Sequence, residues 1–182
     1  MKKYNPEKYH RHSIRLRNYD YSQDGLYFIT ICTHERQLMF GNIPDNEMML
    51  SPLGKTANEY WVEISSYFNS VKLHEYIIMP NHMHGIIEIE GAINQGAINR
   101  APTEASGGFA GTLNPMLRIN LSQIVRWYKG RTTYECRKTQ ADFAWQRNYY
   151  EHIIRNEQDY IRIAEYITNN TANWPDDRFY SP

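Results

Sequence analysis

The stretch that most limits what this chain can become is Tyr76-Ile77-Ile78-Met79-Pro80-Asn81-His82-Met83-His84-Gly85-Ile86-Ile87-Glu88-Ile89-Glu90. Two runs rich in β-branched residues flank a Met-Pro-Asn turn, which specifies neighbouring strands over residues 71–79 and 82–90. Alternate side chains of a strand share a face. His82 and His84 therefore stand side by side with Ile86, Glu88 and Glu90 following them, while Met83, Ile87 and Ile89 point the other way, toward whatever the sheet buries. Two imidazoles so placed form part of a metal shell, or simply a partly exposed pair; a full shell needs ligands from elsewhere in the chain. Pro80 and Asn81 stiffen the turn that leads into them.

A chain of 182 residues suits one domain with a proper core. We expect a basic arm over residues 1–20 and a single domain over 21–182, with a flexible insertion at about 91–117, where Gly-Ala-Ile-Asn occurs twice among prolines and glycines. Twenty basic and twenty acidic side chains cancel, so the total charge does not announce a nucleic-acid binder. Their distribution says more. Arg15 and Arg17 belong to a basic cluster in the first 18 residues, and Arg126, Lys129 and Arg131 belong to another at 118–138. If these segments converge they form a phosphate-attracting surface; if not, each is an ordinary solvated face. Fifteen tyrosines can stack on unpaired bases or build cores and interfaces. Cys32 and Cys136 are the only cysteines, which argues against a disulfide framework and a thiolate zinc site and for a reducing, cytoplasmic setting. The polar, basic start lacks the apolar run of a signal peptide, and no stretch approaches the length of a membrane span.

Residues 26–33 read as a strong strand, with a shorter strand over 36–43 across a turn at His34-Glu35. His34 is a candidate ligand or a turn histidine facing water. Ser51-Pro52 starts a helix whose apolar positions Leu53, Ala57, Tyr60, Trp61, Ile64 and Phe68 recur at helical spacing. Gly54-Lys55-Thr56 imitates the end of a phosphate loop, but Met49 stands where the first glycine belongs and the motif lies inside a helix, so nucleotide hydrolysis is not expected. A second helix spans 121–134, with Ile124, Val125 and Tyr128 inward and Arg126, Lys129 and Arg131 outward. Residues 145–155 alternate as a strand, and a last helix spans 157–170 on a stripe of Tyr160, Ile163, Ala164 and Ile167.

Tyr166 sits on the flank of that stripe, and Asn170 lies four residues on, about one helical turn away on the same face. If that face covers the histidines, Asn170 can complete a three-ligand site and Tyr166 can aim its phenol at whatever the ion binds. Tyr149, Tyr150 and Tyr160 compete for such a role, and His152 reads as structural or phosphate-contacting.

Residues 79–84, the run Trp145-Gln146-Arg147-Asn148-Tyr149-Tyr150-Glu151-His152-Ile153-Ile154-Arg155-Asn156 and the helix carrying Tyr166 and Asn170 together resemble the single-tyrosine HUH transposases, especially the REP-associated tyrosine transposases. The resemblance covers most of residues 10–170. It implies an α+β fold, a ferredoxin-like α/β sandwich with an antiparallel central sheet and helices packed on it. It implies a divalent metal ion, Mg²⁺ or Mn²⁺, on His82, His84 and Asn170, although imidazole also accepts Zn²⁺. Tyr166 would be the nucleophile that cleaves and rejoins single-stranded DNA by transesterification through a 5′-phosphotyrosine, and single-stranded or hairpin DNA the partner. Arg15, Arg17, Arg126, Lys129, Arg131 and Arg147 are the candidate DNA-backbone contacts, in a monomer or homodimer without membrane association. The chain departs from the family in Asn170-Thr171-Ala172-Asn173-Trp174, where relatives commonly carry Asn-Pro, and in the 91–117 insertion. Two rival readings are a hairpin or single-strand binding protein without strand transfer, and a metal-dependent phosphoesterase that uses water.

Overall fold

A computed structural model describes residues 23–90 and 119–180. The expected basic arm, with Arg15 and Arg17, and the 91–117 insertion lie outside the described residues. Along the chain come β1 (Gly25–Cys32), the two-residue strands β2 (Gly41–Asn42) and β3 (Met49–Leu50), and helices α1 (Pro52–Val62) and α2 (Ile64–Tyr67). The hairpin strands β4 (Val71–Met79) and β5 (His82–Ile89) follow, then α3 (Leu121–Cys136), β6 (Tyr150–Ile154) and α4 (Glu157–Thr168).

The main sheet has the order β4-β5-β1-β6, and every neighbouring pair is antiparallel. This is the β-α-β-β-α-β arrangement of a ferredoxin-like sandwich, in the α+β class expected from the sequence. Period-two alternation along β5 splits the molecule into two cores. Met83, Ile87 and Ile89 join Trp61 of α1 and Ile124, Val125 and Tyr128 of α3 on one face. Ile86, on the other face, packs with Phe28, Ile154 and the α4 residues Ile163 and Ile167. The histidine pair belongs to this second face.

Helices α1, α3 and α4 begin where the sequence supplies a cap, whereas α2 follows α1 directly through Glu63 without one. Ser51 Oγ accepts the Gly54 N–H at 3.1 Å with Pro52 at the first helical position. Asn120 and Gln123 exchange side-chain and backbone hydrogen bonds in a capping box ahead of α3. Asn156 Oδ1 accepts the Asp159 N–H at the start of α4. A Cβ on Gly54 would fall 2.1 Å from the Phe40 carbonyl oxygen, so the glycine of Gly-Lys-Thr serves close packing within α1 and the segment is no phosphate loop.

Three expectations need correction. The strand expected over 36–43 is absent: His34–Arg36 is a single 3₁₀ turn with Glu35 and Arg36 at positive φ, and only Gly41–Asn42 pairs, with Met49–Leu50. The buried ring of Phe40 draws this segment inward, and its N–H and carbonyl are taken by Pro80 O and Ser51 N rather than by a sheet neighbour. The strand expected from residue 145 pairs regularly only over Tyr150–Ile154, because Trp145 makes a lone bridge to Thr33 and turns its ring into the core. The last helix ends at Thr168, two residues short of Asn170.

Candidate active site

The site is built from the start of β5 outward. Thr33 holds the turn to the end of β1 by donating both its N–H and its hydroxyl to the Asn81 carbonyl, each at 2.9 Å. His82 and His84 follow, both fully buried, with their Nε2 atoms 3.0 Å apart. The partners of these rings decide their tautomers. Asn81 Nδ2 donates to the Phe179 carbonyl at 2.8 Å, so Asn81 Oδ1 must be the atom 2.8 Å from His82 Nδ1. That oxygen only accepts. His82 therefore carries its proton on Nδ1 and presents a lone pair at Nε2. His84 Nδ1 lies 2.8 Å from Thr30 Oγ1, a group that can donate or accept. Thr30 thus supports either His84 Nε2–H donation to His82 or the tautomer in which both Nε2 lone pairs face one point.

The elements packed over the pair supply oxygen. From α4, the Tyr166 hydroxyl reaches His84 Nε2 at 3.1 Å and donates to Asp177 Oδ2 at 3.3 Å. Asn170 follows α4 in a tight turn closed by its N–H on the Ile167 carbonyl, so its amide still lies near the phenol although the helix has ended. Asn170 Nδ2 donates to Asp177 Oδ2 at 3.4 Å, while its Oδ1, in a residue 1% exposed, has no hydrogen-bond partner among the described residues. The segment 174–180 then closes the site. The Phe179 ring lies 4.6 Å from that of His82 and 5.9 Å from that of His84, and Trp174 flanks His82 at 5.9 Å.

Electrostatics follow from this burial. Desolvation, aided by Arg178, pushes His84 down to about 3. Desolvation, then His84, Arg178 and Arg36, hold His82 well below the usual histidine range. Both rings are neutral near pH 7, as metal ligation requires. Burial and the Asp177 carboxylate raise the Tyr166 phenol above its ordinary value against an opposing hydrogen bond from Asn170. His82, His84 and Asp177 offer donor atoms all within 4.8 Å of one another and can hold a metal ion. The orphaned Asn170 carbonyl oxygen is a further donor beside them. Imidazole nitrogens with a carboxylate and an amide oxygen suit a divalent cation.

Of the residues expected from the sequence, His82, His84, Tyr166 and Asn170 meet in this one place. Asp177, Thr30 and Phe179 were not expected there, and Asn81 was expected only to stiffen the turn ahead of the histidines. Aromatic residues in the polar tail beyond α4 were the available signal that this segment docks somewhere. Of the competing tyrosines, Tyr150 lies exposed in the groove beside Tyr166, and the other two are engaged elsewhere. Tyr160 donates to Glu75 and lies 3.2 Å from His74 Nδ1, and Tyr149 packs toward the α1 and α3 face. His152 lies 2.7 Å from Asp159, and His34 is exposed beside Glu35.

The basic residues of α3 lie on the face of the sheet opposite the histidines. Arg126 and Arg147 are exposed, and the Arg131 guanidinium sits over the Tyr60 ring at 5.2 Å. Lys129 donates to the Gln146 carbonyl at 2.5 Å, and burial lowers its ammonium to about 8. With Arg137, Trp145 and Arg147 it lines an open groove of about 770 Å³.

No family model matches the chain. An uncharacterized protein of Haemophilus influenzae is 42% identical over 183 residues, covering 98% of this chain and 97% of that protein. Among solved structures, a REP-associated tyrosine transposase bound to a REP hairpin superposes with a TM-score of 0.54 at 18% identity, over 94% of this chain and 89% of that one. The chain belongs to one family with the Haemophilus influenzae protein, and it has the fold of the REP-associated tyrosine transposase.

Proposed function

We propose that this protein cleaves and rejoins single-stranded DNA, with Tyr166 as nucleophile. The observation that carries the reading is the Tyr166 hydroxyl at 3.1 Å from His84 Nε2, inside the donor cluster completed by Asp177. The structural relative with a tyrosine-transposase name and a bound DNA hairpin supports the choice of substrate. The phenolic oxygen attacks the phosphorus of a phosphodiester, forming a 5′-phosphotyrosine as the bond to the 3′-oxygen breaks. Asp177, whose carboxylate already accepts from the phenol, takes the phenolic proton, and the departing oxygen gains a proton from solvent to become a 3′-hydroxyl. Attack by another 3′-hydroxyl on the phosphotyrosine reverses the step and rejoins strands, so no nucleotide triphosphate is consumed.

An unperturbed phenol near pH 7 is about 4 kcal/mol short of being phenolate. Burial enlarges that deficit in Tyr166. His82, His84, Asp177 and Asn170 would hold a divalent cation, Mg²⁺ or Mn²⁺, whose charge polarises the scissile phosphate and favours the ionised phenol. Asn81 and Thr30 fix the ring orientations, and Phe179 and Trp174 keep water from the histidines. Arg126, Arg131 and Arg147 are backbone contacts for strand segments beyond the reacting one, and removal of each lowers the salt dependence of binding by about one unit of slope.

The test is incubation with random-sequence and hairpin-bearing single strands plus Mn²⁺, followed by a denaturing gel. The wild-type protein forms a covalent adduct, and Tyr166→Phe binds DNA without one. An adduct that persists in Tyr166→Phe moves the nucleophile elsewhere. Multiple-turnover hydrolysis without an adduct selects the phosphoesterase reading, and binding alone selects a non-cleaving DNA-binding protein.

A further inference from the structure

Beside Tyr166, between α4, β6 and the tail, the surface opens into a groove of about 560 Å³. Pockets for single small ligands run from about 300 to 1,000 Å³. Its lining combines Phe28, Tyr150, His152, Arg162, Tyr166 and Arg178. These residues come from β1, β6, α4 and the tail, and nothing in the nucleophile chemistry above uses Tyr150, His152 or Arg162.

Phe28 forms the floor that links this groove to the reacting centre. Its ring is 5.4 Å from that of His84, in a stacked arrangement, and 6.3 Å from those of both Tyr166 and Tyr150, edge-on. Tyr150 is 45% exposed, although it lies on the same face of β6 as buried Ile154, so its ring is presented rather than packed away. The Arg178 guanidinium covers it at 5.5 Å. A planar cation resting on an exposed aromatic ring marks a surface on which a base can also stack. On the α4 side, Asp159 accepts from Arg162 through Oδ1 and pairs with His152 Nε2 through Oδ2, at 2.5 and 2.7 Å. One carboxylate therefore orients a guanidinium and an imidazole toward the same groove and leaves the second ring nitrogen for a ligand. Asp176 and Asp177 line the tail side, and the two guanidiniums come from different walls, Arg162 from α4 and Arg178 from the tail, over Tyr150.

We infer that this groove is a subsite for one unpaired nucleotide next to the phosphate that Tyr166 attacks: its base stacks on Tyr150, and its phosphate meets Arg162 and Arg178. A planar aromatic platform, two guanidiniums and a single-nucleotide volume at one ring's remove from the nucleophile select an unpaired nucleotide over a duplex, whose bases offer no free face. His152 is a positioning residue within it, held by Asp159. The inference rests on the proposed function for the identity of its ligand as DNA, and adds where one nucleotide of that strand sits.

The test separates the two by reading binding without chemistry. In a Tyr166→Phe background, fluorescence anisotropy measures the affinity for a single-stranded oligonucleotide in which an abasic site is moved one position at a time. At one position the abasic site weakens binding about tenfold, the size of one lost base–aromatic stack. Tyr150→Ala weakens binding of the intact strand by a similar factor and removes the penalty at that position alone, whereas Tyr150→Phe retains it. Equal abasic penalties in the Tyr150→Ala and parent proteins at every position overturn the subsite, even where the wild-type protein forms its adduct. A coupled penalty with no adduct in the wild type keeps the subsite and removes the strand-transfer reading. Failure of the parent protein to bind any single strand removes both.

Discussion

Asn81 makes the sharpest test of how the histidine pair is prepared, because its carboxamide performs two separable tasks. Its oxygen accepts the His82 Nδ1 proton, and its nitrogen donates to the Phe179 carbonyl, both at 2.8 Å and both away from solvent. In Asn81→Ala the Nδ1–H and the carbonyl lose these partners. A buried polar group left unpaired costs about 1–3 kcal/mol, so with two such groups the variant loses roughly 2–6 kcal/mol of folding stability. The larger functional effect falls on metal binding. Without the oxygen, His82 is free to carry its proton on Nε2, the atom the site needs as a lone pair, and loss of such a partner typically weakens metal affinity about 10–100-fold.

Isothermal titration with Mn²⁺ at pH 7.5, alongside urea denaturation, measures both quantities. Asn81→Asp provides the contrast: it keeps an acceptor for the Nδ1 proton but cannot donate to Phe179 O. Its Mn²⁺ affinity is expected within a few-fold of wild type, with a stability loss like that of Asn81→Ala. Two results refute the reasoning. One is Mn²⁺ binding by Asn81→Ala within about threefold of wild type. The other is an equal affinity loss in both variants, which would make docking of the tail, and not the tautomer of His82, the function of this residue.

Three further outcomes follow from the same geometry. In chelator, the protein loses stability as pH falls from about 6.5 toward 3. His84 is pushed down to about 3 in the folded state, so the unfolded chain binds more protons throughout that interval, and at pH 5 this histidine alone costs about 2 kcal/mol. Urea midpoints at pH 7.5 and 5 check this, and His84→Gln should flatten the difference. Gly85→Ala would place a Cβ 2.3 Å from Trp61 Cζ2 in a closed core, costing about 1–3 kcal/mol or more, and Trp61→Phe in the same chain should recover part of it in urea melts. Asp177→Asn keeps an oxygen for the Phe179 N–H, which Asp177 Oδ1 accepts at 2.6 Å, so the tail stays docked while adduct formation slows about 10–100-fold on the denaturing gel.

How far the sequence could be read varied with the range over which each signal acts. The β4–β5 hairpin and the two-faced division of β5 were plain, because strand alternation is local and Met83 and His84 cannot share a side. The caps at Ser51, Asn120 and Asn156 are also local, and helix starts stood close to where they were expected. Residues 36–43 misled because Phe40 satisfies a core vacancy between Phe143 and Trp145, a demand set by residues a hundred positions away. At the site, His82, His84, Tyr166 and Asn170 were legible from spacing and resemblance. Asp177 was not, since it reaches the histidines through a tail of no regular period, fixed by Phe179 and Trp174. Nor was the engagement of Lys129, which looked like a free cation on an outward helix position but donates to the Gln146 carbonyl of the chain folded beside it.

Asp177 also changes the charge balance that the histidines and Asn170 alone would give. Two neutral imidazoles and an amide leave the full charge of a divalent cation facing the substrate. One carboxylate reduces it to a single net positive charge, which matches one phosphodiester. Burial first, and then the same carboxylate, raise the phenol of Tyr166 over the opposing effects of Asn170 and Arg178, so in the metal-free protein that phenol is held protonated. Arg178, next in the chain, works in the other direction, lowering both histidines and opposing the effect of Asp177 on the phenol. The tail thus supplies one negative and one positive group to the same centre, and the order of their effects follows from position. The carboxylate touches the phenol, whereas the guanidinium lies over Tyr150 and Phe179 and acts at longer range. Removing Asp177 should therefore alter both ion binding and the ease of phenol ionisation, while removing Arg178 should ease protonation of both histidines and raise the phenol further.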